Sequence, residues 1–150
     1  DHFIWGKVTL FDIGAKVPFI VRAPGLTKSG TTSEAMVELI DIYPTLADLA
    51  GLKAPIHLQG SSLRPLLGHP ERLGKKKYAY SVVTRGPKNL GYALRNQNWR
   101  YGKWPDGEEL YNLRSDPQEK NNLAQKEHFK ERLDVFRKAL TRQQELIQQN

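Results

Sequence analysis

The densest chemistry in this chain stands at its start, where Asp1-His2-Phe3-Ile4-Trp5-Gly6-Lys7 brings a carboxylate, an imidazole and an ammonium into seven positions. A carboxylate suits a hard divalent cation. An ammonium suits an anionic group, and the imidazole adds a third group of the kind found in sites. A chain terminus is ordinarily frayed and polar. This one runs directly into Val8-Thr9-Leu10-Phe11, so the septet reads as the edge of a site whose remainder lies upstream.

Composition narrows the partners. The formal net charge of +7 favours acidic ones, either nucleic acid or a sulfated or phosphorylated small molecule or glycan. The basic residues are scattered, with one short run at Lys75-Lys76-Lys77. Aromatic and basic residues interleave at Trp99-Arg100-Tyr101-Gly102-Lys103-Trp104, but no nucleic-acid signature surrounds them, and that partner is set aside. With no cysteine, disulfides and thiolate metal sites are excluded. No apolar run is long enough to span a bilayer. The length of 150 residues suits one ordinary domain with its core.

The elements that must position the site follow from pattern. Residues 7–25 read as a short turn or helix and then an all-apolar strand, Val17 to Val21, stopped by Ala23-Pro24-Gly25. Met36 to Ile40 reads as a second strand. Asp41 to Leu52 reads as a helix with Pro44 in its first turn and Gly51 at its end, its Leu46, Leu49 and Ala50 face packing on a sheet. Residues 53–77 are loop-rich. From Tyr78 the period shifts to two, and an antiparallel sheet is predicted from Tyr78–Val83, Gly91–Arg95, Trp99–Tyr101 and Glu109–Leu113, with a turn at Asn96-Gln97-Asn98. Phe129, Leu133, Phe136, Leu140 and Ile147 form the apolar stripe of a closing helix. The predicted class is α/β with an α+β C-terminal subdomain. Residues 1–77 form the end of a mixed-sheet catalytic domain, and residues 78–150 a small antiparallel sheet packed by the last helix.

Four segments, in this order, resemble the C-terminal part of the formylglycine-dependent sulfatases of the alkaline-phosphatase-like superfamily. They are Trp5-Gly6-Lys7 through Asp12 leading into Lys16–Gly25; Asp41-Ile42-Tyr43-Pro44-Thr45-Leu46 through Leu52; Leu58-Gln59-Gly60-Ser61-Ser62-Leu63-Arg64-Pro65-Leu66-Leu67; and Glu109-Leu110-Tyr111-Asn112-Leu113-Arg114-Ser115-Asp116-Pro117-Gln118-Glu119 with Asn122-Leu123-Ala124. Within that family, Gly91–Arg95 with Trp99–Trp104 is most similar to the iduronate-sulfatase type.

The resemblance implies roles. Lys7 matches the lysine that ends the family's Glu/Asp-His-Gly-x-Trp-x-Lys motif and binds the oxygens of the sulfate ester. His2 falls on the acidic-His step of that motif, with Phe3 where glycine is usual, and is assigned to the pocket. Asp1 lies too close to Lys7 to be one of the cation's ligands, so no metal ligand is assigned in this chain. Arg85, Arg95 and Lys103 fall where similar enzymes border their substrate. Guanidinium forks match sulfate groups well there. His57, His69 and His128 lack ligand spacing and read as surface residues, and Asp116-Pro117 reads as a turn with Asn122 closing it.

The family's nucleophile is a formylglycine made within a Cys/Ser-x-Pro/Ala-x-Arg motif, and no such motif occurs in this sequence. The nucleophile and the ligands of a calcium-type cation are therefore expected upstream, and the chain by itself is expected to be inactive. The favoured reading is the C-terminal part of a sulfatase acting on a sulfated glycan or small molecule, with the rest of the catalytic domain as partner. The family implies a periplasmic, secreted or lysosomal location. Hydrolysis of phosphate or phosphonate esters by the same architecture, and a non-catalytic basic module binding anionic glycans, are the alternatives.

Overall fold

The computed structural model describes residues 8–87 and 89–148. They cluster into two compact units, one holding residues 8–18 and 80–146, the other residues 19–79 with 147–148. The sequence reading divided the chain at 77/78 and kept residues 8–18 with the first half. In the structure those residues pack with the later unit, because Thr9 and Leu10 are buried there and Asp12 is bonded to it.

The later unit is built on a four-stranded antiparallel sheet in sequential order: β1 (Ala79–Thr84), β2 (Leu90–Arg95), β3 (Trp99–Trp104) and β4 (Gly107–Asn112). Asn96 fixes the β2–β3 turn, its Oδ1 accepting from the backbone N–H groups of Asn98 at 3.0 Å and Trp99 at 2.9 Å. Such a side-chain bond is the reason Asn builds turns. Strand alternation then sorts the side chains. Register pairs Tyr92 with Lys103, Leu94 with Tyr101 and Arg95 with Arg100 across β2 and β3. On β3 and β4, Tyr101 pairs with Leu110, Lys103 with Glu108 and Arg100 with Tyr111. Leu94, Tyr101, Lys103, Leu110 and Glu108 thus share one face, and Arg95, Arg100, Glu109 and Tyr111 the other.

The predicted closing helix, α4 (Lys130–Gln148), packs on the first of these faces. Leu133, Phe136 and Leu140 are buried. The Phe136 ring lies 5.9 Å from Tyr101, and Phe129, just before the helix, lies 5.7 Å from Trp99. Each such buried apolar side chain contributes about 1.5–3 kcal/mol. The opposite face is covered by residues 9–12 and the short helix α1 (Asp12–Ala15). Asn122 closes the β4 edge: its Oδ1 accepts from Leu110 N–H and Ala124 N–H, its Nδ2 donates to the Glu108 carbonyl, and Leu123 N–H bonds the Leu110 carbonyl. An occupied edge is protected from stray strand pairing.

Residues 17–52 depart from expectation in two ways. The predicted strands Val17–Val21 and Met36–Ile40 join no ladder among the described residues. Ile20 is almost fully exposed, and Leu39–Asp41 turns as a 3₁₀ helix. Apolar content alone argued for strands there. The competing force is Asp41, whose Oδ2 accepts the Glu38 N–H at 2.9 Å and winds the chain into a turn. The helix α2 (Ile42–Leu49) begins as predicted, with Pro44 in its first turn, and Gly51 stops it at a φ of 70°. Its buried face, however, is not Leu46, Leu49 and Ala50. Asp41, Pro44 and Thr45 are buried, while Leu39, Tyr43 and Leu46 face outward.

That polar face is a latch. Asp41 is fully buried, and its Oδ1 accepts from Ser61 N–H and Lys76 Nζ, both at 2.8 Å; Lys76 also pairs with Glu38. Thr45 Oγ1 donates to the Asp41 carbonyl and accepts from Leu63 N–H at 2.8 Å. Asp48 accepts from Ser62 Oγ, and Arg64 Nη1 donates to its carbonyl at 3.0 Å. The latch binds residues 60–64 to α2 and leads into α3 (Arg64–Gly68). Gly60 is required by contact: a Cβ there would stand 2.0 Å from the Ile40 carbonyl oxygen. We expect Gly60→Ala to destabilise the protein by roughly 2–4 kcal/mol in urea unfolding. Gly107→Ala, where nothing lies within 4 Å of the added methyl, should change stability by no more than about 0.5 kcal/mol.

Candidate active site

Lys7 and His2 lie outside the described residues. The backbone that follows them is described, and it is held tightly. Thr9 and Leu10 are buried. Phe11 meets Tyr111 edge-on at 5.9 Å, and the Arg100 guanidinium lies against both rings, 4.6 Å from Phe11 and 4.7 Å from Tyr111. Arg100 is itself fully buried. Its Nε bonds Glu119, its Nη1 bonds Glu109 Oε2 at 3.0 Å, and its Nη2 has no hydrogen-bond partner among the described residues.

Glu119, buried as well, accepts the Asp12 backbone N–H on its Oε2 at 2.6 Å. It adopts a left-handed φ of 54° at the end of the Asp116-Pro117 turn. Asp116 builds that turn by accepting from Lys120 N–H and Asn121 N–H. Burial, with the Glu109 carboxylate second, pushes the Tyr111 hydroxyl up to about 12, so this ring stays neutral beside the charges.

The three cations expected at the substrate have different surroundings. Arg95 grips the Asp12 carboxylate, Nε to Oδ1 at 3.1 Å and Nη2 to Oδ2 at 3.1 Å, both side chains largely buried. Arg85 is exposed and stacks its guanidinium 4.7 Å from the Trp104 ring. That indole packs tightly over β2, where a Cβ on Gly91 would meet it at 2.5 Å. Arg85 and Arg95 therefore lie toward the same side of the sheet. Lys103 points to the other side, its Nζ 3.8 Å from Glu108 Oε1.

Glu108 is the hub of that second face. It accepts the Tyr101 hydroxyl at 2.6 Å and both Nε and Nη2 of Arg137 on α4. The Arg137 hydrogen bonds first, and the Tyr101 hydroxyl with them, hold its carboxyl down to about 2 against the opposing effect of burial. Burial, then the bond to Glu108, raises the Tyr101 hydroxyl. His57, His69 and His128 are all exposed, as the sequence reading had them. Among the described residues no group of three His, Asp or Glu is placed to hold a metal ion, and no helix is long and apolar enough to cross a membrane.

Sequence reasoning missed Arg100, Glu119 and Asp12. A buried arginine is rare unless paired, and alternation in Trp99-Arg100-Tyr101 does not by itself say which face is covered. The local hint was the acid that closes Asp116-Pro117-Gln118-Glu119, and a loop acid is ordinarily solvated and does not by itself mark a buried cation.

Residues 1–146 match the family model described as N-sulphoglucosamine sulphohydrolase, C-terminal. The chain is 32% identical to an ulvan-active sulfatase of Formosa agariphila, over 87% of this chain and 33% of that protein. The structure of BT4656 in complex with its substrate D-glucosamine-2-N,6-O-disulfate superposes with a TM-score of 0.80 at 28% identity, over 87% of this chain and 28% of that one. A phosphonate monoester hydrolase, SpPMH from Silicibacter pomeroyi, superposes with a TM-score of 0.81 at 26% identity, over 93% of this chain and 31% of that one. The chain spans about a quarter to a third of the length of the curated relatives it matches.

The depressed Glu108 carboxyl has a pH signature. Its folded value lies below its ordinary 4.5, so its stabilisation is present above pH 4.5 and is lost as pH falls from there toward 2. Urea unfolding should show Glu108→Gln less stable than wild type by about 1–2 kcal/mol at pH 7, a figure reduced for solvent screening of the half-exposed Arg137. The difference should shrink as the pH is lowered toward 2.

Proposed function

Since this chain belongs to the N-sulphoglucosamine sulphohydrolase C-terminal family of the sulfatases, we propose that it is the C-terminal part of an enzyme hydrolysing a sulfate ester, on a sulfated glycan or small molecule. The observation that carries this reading is the match of residues 1–146 to the family. Kinship with a glycan sulfatase and with the disulfated-glucosamine complex supports the substrate class.

In this reading Lys7 holds the sulfate oxygens and offsets charge as the S–O bond breaks, while His2 lines the pocket. Arg85 is assigned to a further anionic group of the substrate, an assignment supported by its exposure and its bracing on Trp104. Lys103 faces Glu108 on the α4 side of the sheet and Arg95 is engaged by Asp12, so neither is assigned to the substrate. A formylglycine nucleophile and a calcium-type cation would be held by the rest of the protein, and would supply the attacking oxygen and further charge neutralisation. The same reading places the protein in the periplasm, outside the cell or in a lysosome.

The second reading, a phosphonate or phosphate ester hydrolase, is favoured by the likeness to SpPMH. Two measurements on the full-length protein separate them. A higher kcat/KM for aryl sulfates and sulfated sugars than for phosphonate monoesters supports the sulfatase, and the reverse order removes it. Lys7→Ala should lower sulfate-ester turnover about 100-fold or more with the melting temperature unchanged. Unaltered turnover takes Lys7 out of the site.

A further inference from the structure

We infer that Asp12 and Arg95, braced by Arg100 and Glu119, form a positioning device for the segment that carries Lys7. The inference rests on the reading of Lys7 as the sulfate-binding residue. Lys7 stands two residues before Thr9 in the sequence, and from Thr9 onward each residue is fastened in turn. Thr9 and Leu10 are buried, and Phe11 stacks on Arg100. Asp12 is held twice, by its backbone N–H on Glu119 and by its carboxylate on Arg95.

Register explains why these groups act together. Arg95 and Arg100 are direct partners across β2 and β3, and like charges directly opposite one another on a sheet repel. They are tolerated because three carboxylates surround them: Asp12 on Arg95, and Glu109 and Glu119 on Arg100. Neutralising Asp12 therefore loosens its own anchor and also leaves the Arg95 charge facing Arg100. The function of Arg95 is exerted through Asp12 on the backbone, and a bidentate fork serves this better than a single ammonium. A shift on the order of 1 Å in a group that contacts the reacting sulfate is enough to cost up to about a hundredfold in rate.

The test is a double-mutant cycle in the full-length protein with Asp12→Asn, Arg95→Ala and both together, alongside Arg95→Lys. Asp12 and Arg95 retain some exposure, so these variants should fold where changes at fully buried Arg100 or Glu119 would not. Each single change should lower kcat roughly tenfold or more and leave KM within about twofold. The double variant should be no worse than the poorer single, and Arg95→Lys should recover part of the loss. Hydrogen exchange of the peptide covering residues 8–15 should quicken in Asp12→Asn and in Arg95→Ala. If Arg95→Ala instead raises KM, Asp12→Asn is silent and the two effects multiply, Arg95 touches substrate and the positioning role is overturned. If the wild type hydrolyses no sulfate ester, the proposed function fails. Exchange then decides the positioning role alone: unchanged exchange overturns it, and quickened exchange upholds the anchoring of residues 9–12.

Discussion

A guanidinium removed from water is the constraint around which the sheet-bearing unit is organised. Arg100 sits on a central strand, fully buried, against two aromatic rings and paired with two carboxylates. An isolated buried cation is prohibitively costly, so the fold must deliver compensation from elsewhere in sequence. It does so from three directions: Glu109 from the adjoining strand, Glu119 from the loop after β4, and Phe11 from before α1. Each delivery fixes the path of the segment that makes it. Ion pairs of this kind are weak arguments for net stability and stronger ones for specifying a single arrangement.

The unit of residues 19–79 follows the same logic with smaller groups. A buried Asp41 needs donors, and the backbone of residue 61 and the amine of Lys76 supply them. What links α2 to the chain twenty residues on is thus a set of polar obligations, with apolar burial secondary. This also alters the meaning of the Lys75-Lys76-Lys77 run. Its middle member is spoken for by Asp41 and Glu38 and is no part of a basic surface.

Much of this was legible in the sequence, and the boundary of legibility is physical. The strands from Tyr78 onward and the stripe Leu133, Phe136, Leu140 declared themselves because period-two and period-3.6 patterns directly encode which side is covered. The Asn96 turn, the Gly51 stop and the Asp116 turn were legible because each is a local bond or a local φ. Val17–Val21 and Met36–Ile40 join no ladder among the described residues, because an apolar run specifies burial without specifying a ladder, and a strand exists only with a partner. Leu46 misled for the converse reason: α2 presents Thr45 and Asp41 to its own unit, a choice made by bonds to residues 61 and 63 that no helical pattern contains. In the candidate site, the motif ending in Lys7 was visible, whereas the Asp12–Arg95–Arg100–Glu119 set joins residues as far as 107 positions apart and has no local signature.

Glu119 combines two demands that rarely meet in one residue. Its backbone takes a left-handed φ, a region where glycine is free and asparagine or aspartate are the best tolerated of the rest. Its side chain must reach Arg100 and the start of α1 at once. Glycine would relax the turn and strip the arginine of an anion. Aspartate would suit the turn and fall one methylene short, and glutamine would span the gap without the charge. The position is a dead end for single-step substitution: every neighbour that eases one requirement violates the other, so drift here demands that the arginine change first.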